Sequence, residues 1–217
     1  MRVIASAAAS KCDNFGAADH TSRRQMDQEL AWFSRQFDEE TAKCRVKLLG
    51  VRGWLRANQQ QANDLGVYDD LIVRFIDGSG AKFAASVDPG WCWIEKPPNG
   101  LPYCAELLEG VHRFKLGPHG PAKNLALVQA EDFYIHRIDK KGRIVLNECG
   151  QFAIHLHSGG VGPDVGIYSA GCQVIECPEG YFGQTWFDFF TPVQEAMNDF
   201  NQKTVPYTLV ARDEMIP

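Results

Sequence analysis

Two histidines, two serines, three glycines and a cysteine fall within two neighbouring stretches of this chain. These are Ile154-His155-Leu156-His157-Ser158-Gly159-Gly160 and Tyr168-Ser169-Ala170-Gly171-Cys172-Gln173. A cysteine attacks a carbonyl carbon as its thiolate, which a neighbouring base or positive charge favours. Imidazole is the side chain best suited to move that proton near neutral pH. Cys172 is therefore the candidate nucleophile. His157, directly before the glycines, is the first choice of base. His155 is the rival, because residues two apart on a strand share a face. Ser169, Gly171 and the Cys172 backbone N–H are expected to line the position where negative charge develops on the carbonyl oxygen. Ser158, Gly159, Gly160, Tyr168 and Gln173 are the candidate substrate contacts.

Each of these residues also has a plainer reading. An isolated cysteine is most often a small buried hydrophobe, Gly171 can be a turn residue, and His155 can simply be hydrogen-bonded in a sheet. Trp91, Trp93 and the His119 loop are weaker candidates for a substrate wall. No acidic residue stands out as a third catalytic member, and Asp164 reads as well as loop. The competing chemistry is zinc: His155, His157, Cys172 and Cys177 offer the nitrogen and sulfur ligands that metal prefers. A non-catalytic cell-wall-binding protein is a third class, against which the presence of both Cys172 and His157 argues.

A strand ending in Ile-His, a glycine-containing loop and then Ser-x-Gly-Cys resembles the catalytic segment of the L,D-transpeptidases, the YkuD-like family. The similarity is strongest over residues 150–176, weaker over about 65–190, and absent from the N-terminal third. It looks most like a divergent branch found among phage-encoded and secreted antibacterial proteins. The usual motif is Ser-His-Gly-Cys followed by an apolar residue and Arg or Asn. Here Ala170 stands in place of the second histidine, and Gln173-Val174 follows the cysteine. The resemblance implies a thioester on Cys172 formed from a peptidoglycan stem peptide. The donor would be the L-centre of the diamino acid at stem position three, linked to D-alanine. It also implies that a backbone carbonyl can orient the imidazole, so no carboxylate is required. No cofactor is implied.

Composition sets the outer limits. The chain has 217 residues, 45% hydrophobic and 23% charged, ordinary for a globule with a sizeable core. A net charge of −5 argues against a general nucleic-acid binder, which needs a basic surface. No apolar run approaches the roughly 20 residues that span a bilayer, so no membrane insertion is expected. The start, Met1 to Ser10, imitates a signal peptide only briefly. The expected place of action is the periplasm or cell wall, reached by a secretion apparatus or phage lysis. A delivery apparatus or an immunity protein would then be a partner. Seven cysteines leave at least one without an intramolecular partner, and Cys172 and Cys177 are expected to lie apart.

The elements that must hold these residues read as α+β, mainly β. The resemblance implies a YkuD-like mixed sheet or sandwich, with one helix before it and one after the catalytic cysteine. Residues 1–64 are expected to form an N-terminal helical extension packed on a catalytic domain at 65–217. Met26, Leu30, Phe33 and Phe37 recur at helical spacing behind a Thr21 or Ser22 cap. Val46 to Leu55 is mixed, and 58–64 reads as a polar loop. Residues 71–76 and 82–87 form a hairpin about Asp77-Gly78-Ser79-Gly80. Val111 to Leu116 is a strand and 117–121 a loop. Phe133 to Ile138 and Ile144 to Leu146 form a second hairpin, and Phe152 to His157 a strand feeding the site. Thr191-Pro192 opens a helix, and Tyr207 to Ala211 is the last strand.

Overall fold

The computed structural model describes residues 29–56 and 63–211. Eight of its strands close into a barrel: β1 (Val46–Arg52), β2 (Asp70–Ile76), β3 (Ser79–Ser86), β5 (Gly110–His119), β6 (Asn124–Gln129), β9 (Leu156–Ser158), β10 (Gln173–Ile175) and β11 (Val205–Ala211). Their order around the wall is β1-β11-β5-β6-β9-β10-β3-β2. A separate three-stranded sheet consists of β4 (Cys104–Leu107), β7 (Phe133–Ile138) and β8 (Ile144–Gly150), with β7 in the middle. The α+β, mainly β expectation holds, and the closed barrel replaces the anticipated sandwich.

Strand alternation divides the apolar residues between two sides of the wall. Val46, Leu48 and Ile72 join the main core with Phe114, Leu127, Leu156, Ile175 and Tyr207. Leu49, Val51, Leu71, Val73 and Phe75 form a second cluster with Phe33, Phe37 and Leu30. These last three come from α1, whose described part covers residues 29–34, and from the turn after it. The stripe read from the sequence therefore packs on the barrel's outside. Met26 and the Thr21 or Ser22 cap lie outside the described residues. A short helix, α2 (Glu39–Lys43), follows with Asp38 as its cap.

The boundary expected at residue 64 does not divide the structure. β1 pairs in parallel with β11 and antiparallel with β2, so residues 46–52 are part of the barrel wall. Gly50 interrupts the apolar run of β1, and the position demands glycine. A Cβ there would lie 1.9 Å from the Tyr207 hydroxyl oxygen. At the end of β1, the buried Arg52 binds Asp88, Glu109 and the Leu107 carbonyl, tying the barrel to β4. Burial alone would lower the Arg52 pKa. The surrounding Asp88, Glu106, Glu109 and Asp70 instead raise it.

Helix α3 (Trp91–Glu95) follows β3, and α4 (Gln184–Asp199) follows the cysteine. The latter starts at its Gly183 cap, well before the Thr191-Pro192 start expected from the sequence. Trp186, Phe189, Phe190, Val193 and Met197 form its buried stripe, and that apolar face continues the helix past Pro192. Proline has no N–H to give the carbonyl four residues back. Arg74 of β2 donates to that Asp188 carbonyl instead, and to Phe189 O at 3.0 Å. None of the helices among the described residues is long and apolar enough to cross a membrane.

Candidate functional site

The site is built on β9 and β10, which run in parallel with Gln173 opposite Leu156 and Val174 opposite His157. Parallel neighbours need a long crossover, here the chain from Gly159 to Cys172 with a short 3-10 turn at Gly166–Tyr168. Because the strands start side by side, Cys172 lies level with His155. The His155 N–H donates to Cys172 Sγ at 3.5 Å, and Gln173 N–H to the His155 carbonyl at 2.8 Å. The strand expected over 152–157 is shorter, covering Leu156–Ser158 alone. Ala153, at φ 56°, breaks the extended run before it.

His157 is 2% exposed, and its Nδ1 lies 2.7 Å from the Ser158 carbonyl oxygen. A carbonyl only accepts, so Nδ1 carries the proton and Nε2 keeps its lone pair. Nε2 is buried and makes no hydrogen bond among the described residues. A third histidine joins the group. Of the loop expected at 117–121, residues 117–119 are instead the end of β5, which pairs with β6 through His119, and 120–121 belong to the turn between them. His119 stacks on His157 with centroids 3.9 Å apart, and its Nδ1 lies 2.8 Å from that of His155. His119 entered the sequence reading only as part of a substrate wall. A lone histidine beside Gly-Pro gives no sign of its strand register.

Burial sets the charge state of all four groups. Desolvation, helped by His119, lowers the His157 pKa to about 3 and that of His155 to about 4. Desolvation also lowers that of His119. The Cys172 thiol packs beside Tyr68, Tyr168, Val165 and Val174. Its burial raises its pKa to about 11, against the lowering effect of the His155 N–H. The resting site is a neutral thiol among neutral imidazoles.

The other expected site residues have mostly structural positions. Ser169 Oγ donates to the Cys172 carbonyl at 2.7 Å and accepts from Gly171 N–H at 3.2 Å, shaping the turn before the nucleophile. Gly171 sits at φ 120°, and a Cβ would lie 2.7 Å from the Ala105 carbonyl oxygen. Gln173, expected to touch substrate, is fully buried. It accepts from Tyr207 Oη at 2.8 Å and donates to Val87 O at 3.2 Å. Ser158, with the same expectation, is also fully buried. Its Oγ contacts Cys177 Sγ and accepts from Phe182 N–H. Gly159 and Gly160 lie buried against the Tyr68 hydroxyl and the Tyr168 ring. Tyr168 is half-buried and stacks on Tyr181.

Cys177 belongs to the main core, away from the small cluster that holds Cys172. The ligand set His155, His157, Cys172 and Cys177 is thus not assembled. No other group of three or more His, Cys, Asp or Glu among the described residues is arranged to hold a metal ion. Cys44, Cys92, Cys104, Cys149, Cys172 and Cys177 are all free thiols. Asp164 bridges to Val67 through the backbone. Trp93 donates its indole N–H to Ile167 O, and Trp91 packs against Gly66.

A cavity lies close to Cys172, although the cysteine itself does not line it. Cys172 Sγ donates to the Ala153 carbonyl at 3.7 Å. Ala153 and Ala170 line a cavity of about 390 Å³ with Pro98, Leu101, Arg137 and Phe152. A cysteine whose neighbours Ala153 and Ala170 line a cavity, with an imidazole of fixed tautomer on the adjoining strand, supplies the residue types that acyl transfer requires. No family model, curated protein or solved structure matches this chain.

Proposed function

We propose that this protein is a cysteine acyl-transfer enzyme of the L,D-transpeptidase type acting on peptidoglycan stem peptides. The observation that carries this reading is the His157 Nδ1 to Ser158 carbonyl hydrogen bond, on the strand that runs in parallel with the one Cys172 leads into. It supplies what the family resemblance asks of the base: an imidazole oriented by a backbone carbonyl, with Nε2 ready to accept.

In the proposed cycle Cys172 Sγ attacks the carbonyl carbon on the L-side of the scissile bond. Its proton passes to His157 Nε2 as the sulfur–carbon bond forms, because the resting groups are both neutral. The Cys172 backbone N–H faces the developing oxyanion. Collapse of the tetrahedral adduct breaks the carbon–nitrogen bond, and His157 returns the proton to the departing D-alanine amine. Water or a second amine then attacks the thioester, with His157 accepting the proton and restoring it to sulfur. Hydrolysis, D-amino-acid exchange and 3–3 cross-linking share the first half. Action on stem peptides places the enzyme in the periplasm or cell wall.

Purified protein incubated with disaccharide tetrapeptide and pentapeptide, read by mass spectrometry, tests this. The expected result is loss of the terminal D-alanine or its exchange, with a transient acyl adduct on Cys172. Identical products from the wild type and Cys172→Ala would refute it.

A further inference from the structure

Three histidines share one side of the barrel wall, and the acyl-transfer cycle uses only His157. Leu156 and Ile175 belong to the main core. The alternate positions on and just before β9 and β10, which are His155, His157, Cys172 and Val174, therefore face the other way. His119 covers both imidazoles there. It stacks on His157, and its Nδ1 lies 2.8 Å from that of His155.

Two ring nitrogens at that distance hold one proton between them. One Nδ1 donates and the other accepts, so one ring has a lone pair at Nε2 and the other an N–H. Neither Nε2 has a hydrogen-bond partner among the described residues. A proton taken up at the free Nε2 lets the shared proton cross to the second ring, whose own Nε2–H then departs. One proton enters, one leaves, and the two tautomers are exchanged. Burial keeps both rings neutral at rest, and neither has a carboxylate among its electrostatic neighbours to hold an added proton. His155 lies level with Cys172, whereas His119 ends β5 opposite Asn124, beside the exposed turn at 120–123. One end of the pair is at the site and the other is near solvent.

An amine acceptor makes a demand that His157 alone does not meet. Alkyl amines are ammonium ions at neutral pH, the lysine type titrating at about 10.4. An ammonium nitrogen has no lone pair, so it loses one proton before it attacks the thioester. His157 takes the next proton during attack and restores it to sulfur. Ammonium plus thioester thus gives amide, thiol and one surplus proton. Water carries its lone pairs already and needs no such loss before attack.

We infer that His155 and His119 form a proton relay that carries the surplus proton of an amine acceptor from the site to solvent. This rests on the acyl-transfer reading above. Passed the other way, a proton converts the departing amine to ammonium and restores the first pair of tautomers.

The test uses disaccharide tetrapeptide as donor and D-methionine as acceptor, with exchange and hydrolysis products read by mass spectrometry. His119→Phe keeps a ring over His157 and removes Nδ1. His119→Asn keeps a hydrogen-bonding atom for His155 and cannot pass a proton on. Each is read as the ratio of exchange to hydrolysis, which cancels damage common to both reactions. At pH 7 the ratio is expected to fall by about 10²-fold in both variants, the lower end for a lost proton-transfer group. At pH 10, where the acceptor is mostly free amine, it should return to within about twofold of wild type. Hydroxylamine, largely unprotonated at pH 7, should serve both variants as well as it serves wild type. An unchanged ratio at pH 7 in either variant overturns the relay, as does a deficit that persists at pH 10 or with hydroxylamine. Wild type that only hydrolyses overturns the relay and leaves the enzyme class standing. Wild type that forms neither product overturns the acyl-transfer reading and the relay with it.

Discussion

The His155 backbone N–H and the Cys172 sulfur lie 3.5 Å apart across the parallel pair β9 and β10. This contact joins the two halves of the motif and gives the sulfur a donor that would favour its thiolate. Burial nevertheless dominates, holding the thiol pKa at about 11. The site therefore keeps its proton until a substrate carbonyl arrives.

The first prediction concerns that proton. Alkylation of Cys172 by iodoacetamide should rise steadily from pH 6 to pH 10, without the plateau near neutrality of a preformed thiolate. Site-resolved mass spectrometry separates it from the other free thiols. A plateau at pH 7 would mean an ion pair in the resting enzyme.

Removing the base should cost far more than removing its neighbour. His157→Ala is expected to lower kcat on muropeptides by about 10²–10⁴, the usual range for a general base. His119→Ala removes a stacked ring and not the proton acceptor, so a loss of roughly tenfold is expected, with little change in KM. Activity lost in His155→Ala but retained in His157→Ala would transfer the role of base to His155.

Acid should weaken the fold through these histidines. The folded pKa values of His157 and His155, about 3 and about 4, lie below the unfolded value near 6.5. Between those limits the unfolded chain binds more protons, so the contribution is full above pH 6.5 and is lost as pH falls toward 3. The stability of wild type relative to His157→Gln should therefore decline by up to about 1.4 kcal/mol per pH unit in that window. Urea titrations of both proteins from pH 7 to pH 4 measure it. A pH-independent difference would contradict the buried neutral imidazole.

Gln173 ties the nucleophile's strand to the barrel interior through Tyr207. Tyr207→Phe leaves the buried Gln173 Oε1 without that donor, at a cost of about 1–3 kcal/mol. Ser169→Ala removes both bonds that shape the turn at 169–172, at a cost of about 1–2 kcal/mol. Chemical denaturation reads both. Activity should fall in both variants at temperatures where they remain folded, because the turn sets the position of Cys172.

Local chemistry was legible in the chain. The hairpin at Asp77-Gly78 depends on two adjacent residues that adopt positive φ, so neighbouring positions suffice to reveal it. The stripe Leu30, Phe33 and Phe37 likewise carries its periodicity with it. The start of α4 was misread because a Thr-Pro pair is a good local opening. The burial of Trp186, Phe189 and Phe190 and the Arg74 bonds that accommodate Pro192 are long-range facts.

The sequence by itself determined the α+β, mainly β class and singled out His155, His157 and Cys172. Residue type and strand periodicity are local properties. The tertiary structure decided that β9 and β10 run in parallel. This sets Cys172 level with His155, where an antiparallel return would have set the end of one strand beside the start of the next. It also brought His119 from the end of β5 onto both histidines and turned Ser158 and Gln173 away into the protein interior. Such placements depend on which strands become neighbours when the barrel closes. That choice follows from the burial of the whole core, a sum over residues far apart in the chain.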